Sequence, residues 1–493
     1  MHPVSQGPLT VAIIVRNAEQ ALAETLESIA GIADEIVVVD TGSTDDTLQI
    51  AAAAHARVLS HPWQDDFSAA RNFAAGCCTS PWILWLDAGE RLSPDAAAGL
   101  KHFVATGATA NTAYMQIVRL PIQPGEIAAE QIGQIRLVPN DPRLQFTGRV
   151  RETLIPALNA AQVQVEGLPF RIERGRRELD RQLKERRAKR NIQLAELEMR
   201  ERGPQATLLN CLGDAFLTLN QKPRAAQFFH QAISASERGS SDMLAGYYGL
   251  VMALEGSDQR KQGQLQACAA ALEIFPADAQ LLCAAGGYLQ SLGQLATALN
   301  AYQTAYRFGA VNPEVWHLDG ILEVAADCYC QALQRVGRAE EARTILEAEL
   351  ADRPESARLR RQLLALYVRA GHQKQALAQV DQLPPETPYR ESLKSGIRGA
   401  CLVVAKQLIP ARAYLEASYR NGCRDAICLE AYVQTLLAAP DPTAAAPVVA
   451  HWRQVDPHNP RLPGIIAALS DLLSTCNTGE SDIATQNHET STV

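Results

Sequence analysis

Pro81-Trp82-Ile83-Leu84-Trp85-Leu86 is an unbroken apolar run that stops abruptly in acid, at Asp87-Ala88-Gly89-Glu90. Such a run suffices for a strand buried on both faces and is too short for a buried helix. A strand of that kind belongs in the middle of a parallel sheet, and ligands of open α/β sheets sit beyond the carboxyl ends of such strands. Asp87 is therefore expected where a carboxylate can meet a sugar hydroxyl or a divalent cation. The alternative is a strand that ends at a solvated turn.

The residues upstream repeat the pattern. Leu9-Thr10-Val11-Ala12-Ile13-Ile14-Val15 is β-rich and is followed by Arg16-Asn17 and a helical spacing through Leu22, Leu26 and Ile29. Residues 36–39 form a second strand signal ending at Asp40, and Thr41-Gly42-Ser43-Thr44-Asp45-Asp46 is turn chemistry running into a helix start. A short strand at 57–60 and a helix over 66–77 precede the run at 81–86. This alternation predicts a right-handed, parallel βαβ succession. Its strand ends line one rim and bring Arg16-Asn17, Asp40 and Asp87 to a ligand-binding edge. Further on, 94–104 reads as a helix, while 112–119, 134–138 and 146–150 read as strands of an antiparallel flank. If the flank folds back, Arg149, Arg151 and Glu152 fall near the rim.

At 493 residues, two or three domains are expected. A hydrophobic content of 47% with 20% charged residues describes a globular chain, and a net charge of −8 argues against binding nucleic acid through bulk positive charge. No apolar run approaches the roughly 20 residues of a membrane helix, and the first residues show neither the charged nor the apolar region of a signal peptide. Eleven cysteines lack Cys-x-x-Cys spacing, which predicts small apolar fillers in a reducing cytoplasm. Between 171 and 202 the chain is dense in cations, among them Arg174, Arg176, Arg181, Arg186, Arg187 and Arg190. Interspersed acids suit a long exposed helix. It reads either as a solvated connector opening the next domain or as a surface for anionic lipid or a phosphorylated carrier at the inner face of the membrane.

From Ala206 the chain repeats. Leu209, Leu212, Gly213, Phe216, Ala225, Phe229 and Ala232 fall on tetratricopeptide (TPR) positions; further units start at Ala279, Glu323 and Ala357, with weaker ones near Ala245, Glu391 and Ala426. Small residues at close helix crossings beside bulky ones explain the spacing, and stacked units form an α-solenoid. The concave face of such an array takes a protein or peptide partner, with Trp316, His317 and Arg360 as contact or packing residues. The expected domains are 1–175 (α/β), 176–205 (basic linker helix), 206–473 (all-α TPR solenoid) and 474–493 (disordered tail).

Four segments carry a resemblance: Val15-Arg16-Asn17, residues 39–45, residues 65–72 and residues 82–87. Together they resemble the family 2 glycosyltransferases of the GT-A fold, in particular those followed by helical repeats. The resemblance implies a nucleotide-diphospho-sugar donor, with Asp40 pairing to the base, Arg71 near base or phosphates, and Arg16 and Asn17 lining the same pocket. Otherwise Asp40 caps the following helix and Arg71 is an exposed helical charge. Relatives read Asp-x-Asp where this chain has Asp87-Ala88-Gly89, and His-Glu where it has Arg151-Glu152. A divalent cation, Mg²⁺ or Mn²⁺, would then be held through Asp87, with Glu90 as a substitute ligand; alternatively, Arg151 replaces the ion at the departing diphosphate. Transfer with inversion is implied, with Glu152 as the base and Asp141 and Glu90 as substitutes. Glu152 could equally be a partner for Arg149. The acceptor class is open among glycans, lipid-linked sugars and peptides. The rival reading is a degenerate domain on a TPR scaffold that binds nucleotide or serves only as architecture.

Overall fold

The computed structural model describes residues 9–122, 128–175, 180–255, 258–383, 389–438, 442–456, 459 and 461–471. Arg176 and the tail at 474–493, both expected from the sequence, lie outside the described residues. Two compact units divide the chain, Met1–Ala325 and Ala326–Val493.

The first unit opens with strict strand–helix alternation: β1 (Leu9–Val15), α1 (Glu19–Ser28), β2 (Glu35–Asp40), α2 (Thr47–Ala53), β3 (Arg57–Ser60), α3 (Phe67–Cys77) and β4 (Trp82–Trp85). These strands pair in parallel in the order β3-β2-β1-β4, with Val15 opposite Asp40 and Ala12 opposite Trp85. Successive side chains point to opposite faces, and here both faces are covered. Val11, Ile13 and Leu84 pack with Leu22 and Leu26 of α1, while Ala12, Val39 and Trp85 pack with Ala74 of α3 and with Phe146. Double burial is what makes β1, β2 and β4 near-continuous apolar runs, each large side chain contributing about 1.5–3 kcal/mol, whereas the edge strand β3 is only half-buried at its centre. Asp66 fixes the start of α3 by accepting the Ala69 N–H at 3.0 Å.

The flank comprises β5 (Glu90–Leu92), α4 (Pro94–Thr106), β6 (Thr112–Arg119), β7 (Glu130–Pro139), α5 (Ile155–Ala161) and β8 (Gln164–Arg174), giving the order β3-β2-β1-β4-β7-β6-β8-β5. Its β4–β7, β6–β7 and β5–β8 pairs are antiparallel, but β6 and β8 run parallel. Residues 146–150, expected as a strand, are instead part of a tight loop closed by reciprocal Thr147–Thr153 backbone bonds of 3.0 Å. Gly148 in that loop has φ +105, which breaks extended geometry. The flank also holds β5 and β8; the first residues of β8 are exposed, and its apolar alternation is confined to Leu168, Phe170 and Ile172.

Helix α6 (Arg181–Arg202) leads into paired helices α7 (Ala206–Thr218) and α8 (Lys222–Ala235), α9 (Ser241–Ala253) and α10 (Asp258–Leu272), and α11 (Ala279–Ser291) and α12 (Leu295–Phe308). The Phe229 ring lies against both Gly213 and Gly249; a Cβ at either position would come within 2.5 or 2.2 Å of it. Close crossing thus explains the small residue in the repeat. After α12 the chain returns to the sheet, where β9 (His317–Leu318) pairs antiparallel with β7. Gly133 donates its N–H to the Pro313 carbonyl at 2.6 Å, and Arg119 Nε reaches Asp319 at 2.8 Å. His317 is buried beside Gln131 at 3.1 Å, so it packs the seam between sheet and helices.

The unit boundary falls inside α13 (Ile321–Arg335). Its partner is α14 (Ala339–Asp352), followed by α15 (Ala357–Arg369) with α16 (Gln373–Asp381), α17 (Arg390–Val404) with α18 (Leu408–Arg420), and α19 (Ala426–Leu437) with α20 (Ala445–Val455). Ile397, Leu415, Val433 and Trp452 are among its fully buried core residues. Arg360 is likewise buried, bonded to Gln379 and to the Pro354 carbonyl, and acts in packing. Among the described residues no helix is long and apolar enough to cross a membrane.

Candidate functional site

The carboxyl ends of β1, β2 and β4 open on a cleft of about 1920 Å³, larger than the roughly 300–1,000 Å³ of an ordinary small-molecule site. At its rim Asn17, with φ 50, accepts the Thr44 N–H on Oδ1 at 2.7 Å, and its own N–H reaches Ser43 Oγ at 2.9 Å. Asp40 accepts the N–H groups of Gly42 at 3.0 Å and Ser43 at 3.1 Å. It shapes the turn after β2 and does not cap α2. Arg16, Asn17, Thr41 and Thr44 line the cleft; Asp40, 6% exposed, does not.

Arg71 occupies the centre. It is 6% exposed, not the exposed helical charge considered above. Its Nε donates to Glu152 Oε1 at 2.7 Å and its Nη2 to Asp87 Oδ1 at 2.8 Å. The guanidinium lies 5.3 Å from the Trp85 ring and 5.4 Å from the Phe146 ring, within cation–π range. Asp87 Oδ2 is met by Nη2 of Arg136 at 3.2 Å and of Arg174 at 3.5 Å. Glu90, 1% exposed, accepts from Arg136 at 2.6 Å and Arg174 at 3.1 Å on Oε1, and from the Asp87 N–H at 2.9 Å on Oε2. Arginines from α3, β7 and β8 thus meet three carboxylates from the β4 end, β5 and the 147–153 loop.

The network separates its acids electrically. Burial works against the Asp87 charge, but Arg136, Arg71 and Arg174 outweigh it and hold the carboxyl well below the usual carboxylate range. Burial pushes Glu90 up in spite of Arg136, with the neighbouring Asp87 charge adding to the rise. Arg71 is buried too, yet Glu152 and Asp87 raise its pKa and fix it as a cation.

The loop carrying Glu152 is held from the helical side. Arg149 donates its N–H to Glu198 at 2.7 Å, and its guanidinium pairs with Glu201 at 2.6 Å. Val150 packs with Leu194 and Leu212. Arg151, at φ 55, pairs with Asp214 of α7. Two expectations are corrected here. Arg149 takes Glu201 as its partner, which leaves Glu152 to Arg71; and Arg151, expected to stand in for the ion, is turned to the helical wall by Asp214. Asp141 is corrected as well. It pairs with Arg143 at 2.5 Å in the turn after β7, where Asn140 bonds the Pro81 carbonyl at 2.8 Å. That is level with the start of β4, at the opposite end of the sheet from the rim.

Helix α6 faces Arg186, Arg187 and Arg190 to the cleft, so the basic stretch forms one of its walls. Arg190 lies 4.8 Å over the Phe67 ring, and burial together with the Arg187 charge lowers its pKa.

A divalent cation of Mg²⁺ or Mn²⁺ type takes oxygen ligands, and the residues assigned to it do not fit. Both Asp87 oxygens face guanidiniums; the Glu90 oxygens face guanidiniums and an N–H. Among the described residues no group of three or more His, Cys, Asp or Glu is placed to hold a metal. Gly89 has φ +99, a backbone conformation that strains an aspartate. The metal assignment to Asp87 and Glu90 is therefore corrected: they are carboxylate partners of arginines. The sequence reading missed Arg136, Arg174, Glu198 and Asp214 as members of the site. For Arg136 there was one signal, a lone cation inside an apolar strand.

Residues 10–117 match the family model "Glycosyl transferase family 2". Over 161 residues the chain is 35% identical to a TPR repeat-containing protein of Synechococcus elongatus, covering 32% of this chain and 38% of that protein. An uncharacterized glycosyltransferase of Rickettsia typhi is 35% identical over 98 residues, 20% of this chain and 33% of that one. The chain thus spans little more than a third of the length of these relatives. A solved tetratricopeptide repeat protein from Parabacteroides merdae aligns with 54% of this chain and 98% of its own, at 17% identity and a TM-score of 0.42.

Proposed function

We propose that the family 2 glycosyltransferase domain matched at residues 10–117 is a working one, which transfers a sugar from a nucleotide-diphospho-sugar donor to an acceptor with inversion at the anomeric carbon. In this reading residues 1–175 form the catalytic domain, 176–205 the connector and 206–473 the TPR array. The nucleoside lies along the rim of Arg16, Asn17 and Thr44, and the diphosphate points toward Arg71. The acceptor enters against the helical wall, where Asn210, Tyr248 and Trp316 line the cleft.

An acceptor oxygen attacks the anomeric carbon, and the bond from that carbon to the diphosphate oxygen breaks. The acceptor proton passes to Glu152, and the electron pair leaves on the nucleoside diphosphate, where guanidiniums meet the added charge. Arg71 orients the Glu152 carboxylate through Oε1, leaving Oε2 for the proton. Asp87 holds Arg71 and Arg136 in place and presents a partly open face, 37% exposed, to a sugar hydroxyl. Arg151 is a positioning residue for the loop. The TPR helices select the acceptor or bind a protein partner.

The observation that carries this reading is Arg71 bridging Asp87 and Glu152 at 2.8 and 2.7 Å. It joins residues 16 and 81 positions apart at one cleft edge. The test is nucleoside diphosphate release from a panel of UDP- and GDP-sugars with candidate acceptors. Glu152→Gln is expected to lower kcat about 10²–10⁴-fold while nucleotide affinity holds. Undiminished turnover in the variant removes Glu152 as the base. Nucleotide binding without turnover on any donor favours the scaffold reading.

A further inference from the structure

We propose that this chain grips the donor diphosphate with guanidinium groups and without a divalent cation, at an oxyanion site built by Arg71, Arg136 and Arg174. The inference rests on the donor reading above and names what replaces the ion there.

The first ground is donor capacity. A guanidinium carries five N–H donors and no acceptor. Arg71 and Arg136 are 6% and 3% exposed, yet Nη1 of Arg71 and Nε of Arg136 have no hydrogen-bond partner. A buried donor left unpaired is a rare and costly arrangement that points to a missing acceptor. Phosphate oxygens supply acceptors in quantity, and the planar fork of arginine matches them two at a time. Entry is open on the Asp87 and Arg174 side, where the side chains are 37% and 20% exposed.

The second ground is charge. Arg71, Arg136 and Arg174 already answer Asp87, Glu90 and Glu152 one for one, and Arg190 adds a further positive charge that acts on Glu152 and Asp87. A divalent ion brought to Asp87 would displace a guanidinium from its oxygens and then face the same arginines at close range. A diphosphate finds its guanidinium donors in place before it arrives, with Arg190 as the charge beyond that one-for-one balance and no ion to recruit. The third ground is the backbone. Gly89 stands where a second chelating acid would be needed, at φ +99, and its N–H and C=O are committed to Thr25 at 2.8 Å and Gly175 at 3.0 Å.

The test is calorimetric titration of the full chain with inorganic pyrophosphate and, separately, UDP, each in EDTA and in Mg²⁺ or Mn²⁺. Pyrophosphate is expected to bind in EDTA with an affinity within about threefold of that in metal, and Arg174→Gln to weaken it about tenfold or more. Arg174 is the most accessible of the three, so this variant is expected to fold; Arg174→Lys, which keeps the charge and loses the fork, should fall between. Pyrophosphate binding that appears only with metal, or in neither buffer, overturns the inference. UDP separates this from the donor reading. UDP held only with metal leaves that reading standing and removes the guanidinium site. Pyrophosphate bound in EDTA with no UDP affinity keeps the site and removes the donor.

Discussion

The Arg151 guanidinium pairs with the Asp214 carboxylate, joining the loop that bears Glu152 to the first helix of the repeat array. With Glu198 on the Arg149 N–H, the helices grip that loop on both sides of Val150. In the proposed reading, the helical side thereby helps to set the position of Glu152.

Asp214→Asn is expected to cost little stability, because the pair is 38% and 47% exposed and such pairs contribute about 0–1 kcal/mol. Turnover should nonetheless fall about tenfold or more, since small displacements of a catalytic group are expensive. Steady-state kinetics should place the loss in kcat, with donor KM nearly unchanged and partial rescue by Asp214→Glu. An unchanged kcat would reduce the pair to surface packing.

Arg71→Gln removes the cation that Asp87 and Glu152 share. Glu152, 15% exposed, then loses its Arg71 partner, while Asp87 keeps Arg136 and Arg174; breaking a largely buried pair of this kind costs about 3 kcal/mol, which denaturant unfolding would register as a lower midpoint at unchanged slope. Arg71→Lys should recover only part of this, because one ammonium cannot reproduce the two-directional fork.

Asp87 gives a pH signature. Its pKa in the folded chain is lowered, by guanidiniums that outweigh its burial. Its contribution is therefore fully present above the unfolded value of about 3.9 and is lost as pH falls from there toward the folded pKa. The stability difference between the natural chain and Asp87→Asn, from urea unfolding, should be flat above about pH 5 and shrink below about pH 4. A difference that instead grows on acidification would contradict the assignment.

Gly89→Asp tests whether the missing acid alone separates this site from a metal centre. The φ of +99 predicts a loss of about 1–2 kcal/mol, seen as a lower Tm. No gain in Mn²⁺ affinity should accompany it, because Asp87 and Glu90 remain tied to arginines.

The parallel strands were legible because burial on both faces leaves continuous apolar runs, such as 82–86. The helix pairs were legible because close crossings force small residues beside large ones, as Gly213 and Gly249 show against Phe229. β8 was not, since its alternation is short, at Leu168, Phe170 and Ile172, and Pro169 sits within it. Arg71 and Asp87 lie in segments that carry the family resemblance, so their meeting could be expected. Arg136 and Arg174 come from strands whose pairing is set by register across the sheet, which local spacing does not encode. Arg151 was assigned to the wrong side because its direction depends on Asp214, 63 residues further on.

The most direct test is a structure of the chain soaked with a nucleoside diphosphate. Phosphate oxygens are expected within hydrogen-bond distance of the Arg71, Arg136 or Arg174 guanidiniums, with the nucleoside along Arg16 and Asn17. A diphosphate seated away from those arginines, or bridged to Asp87 by a metal ion, would contradict that arrangement.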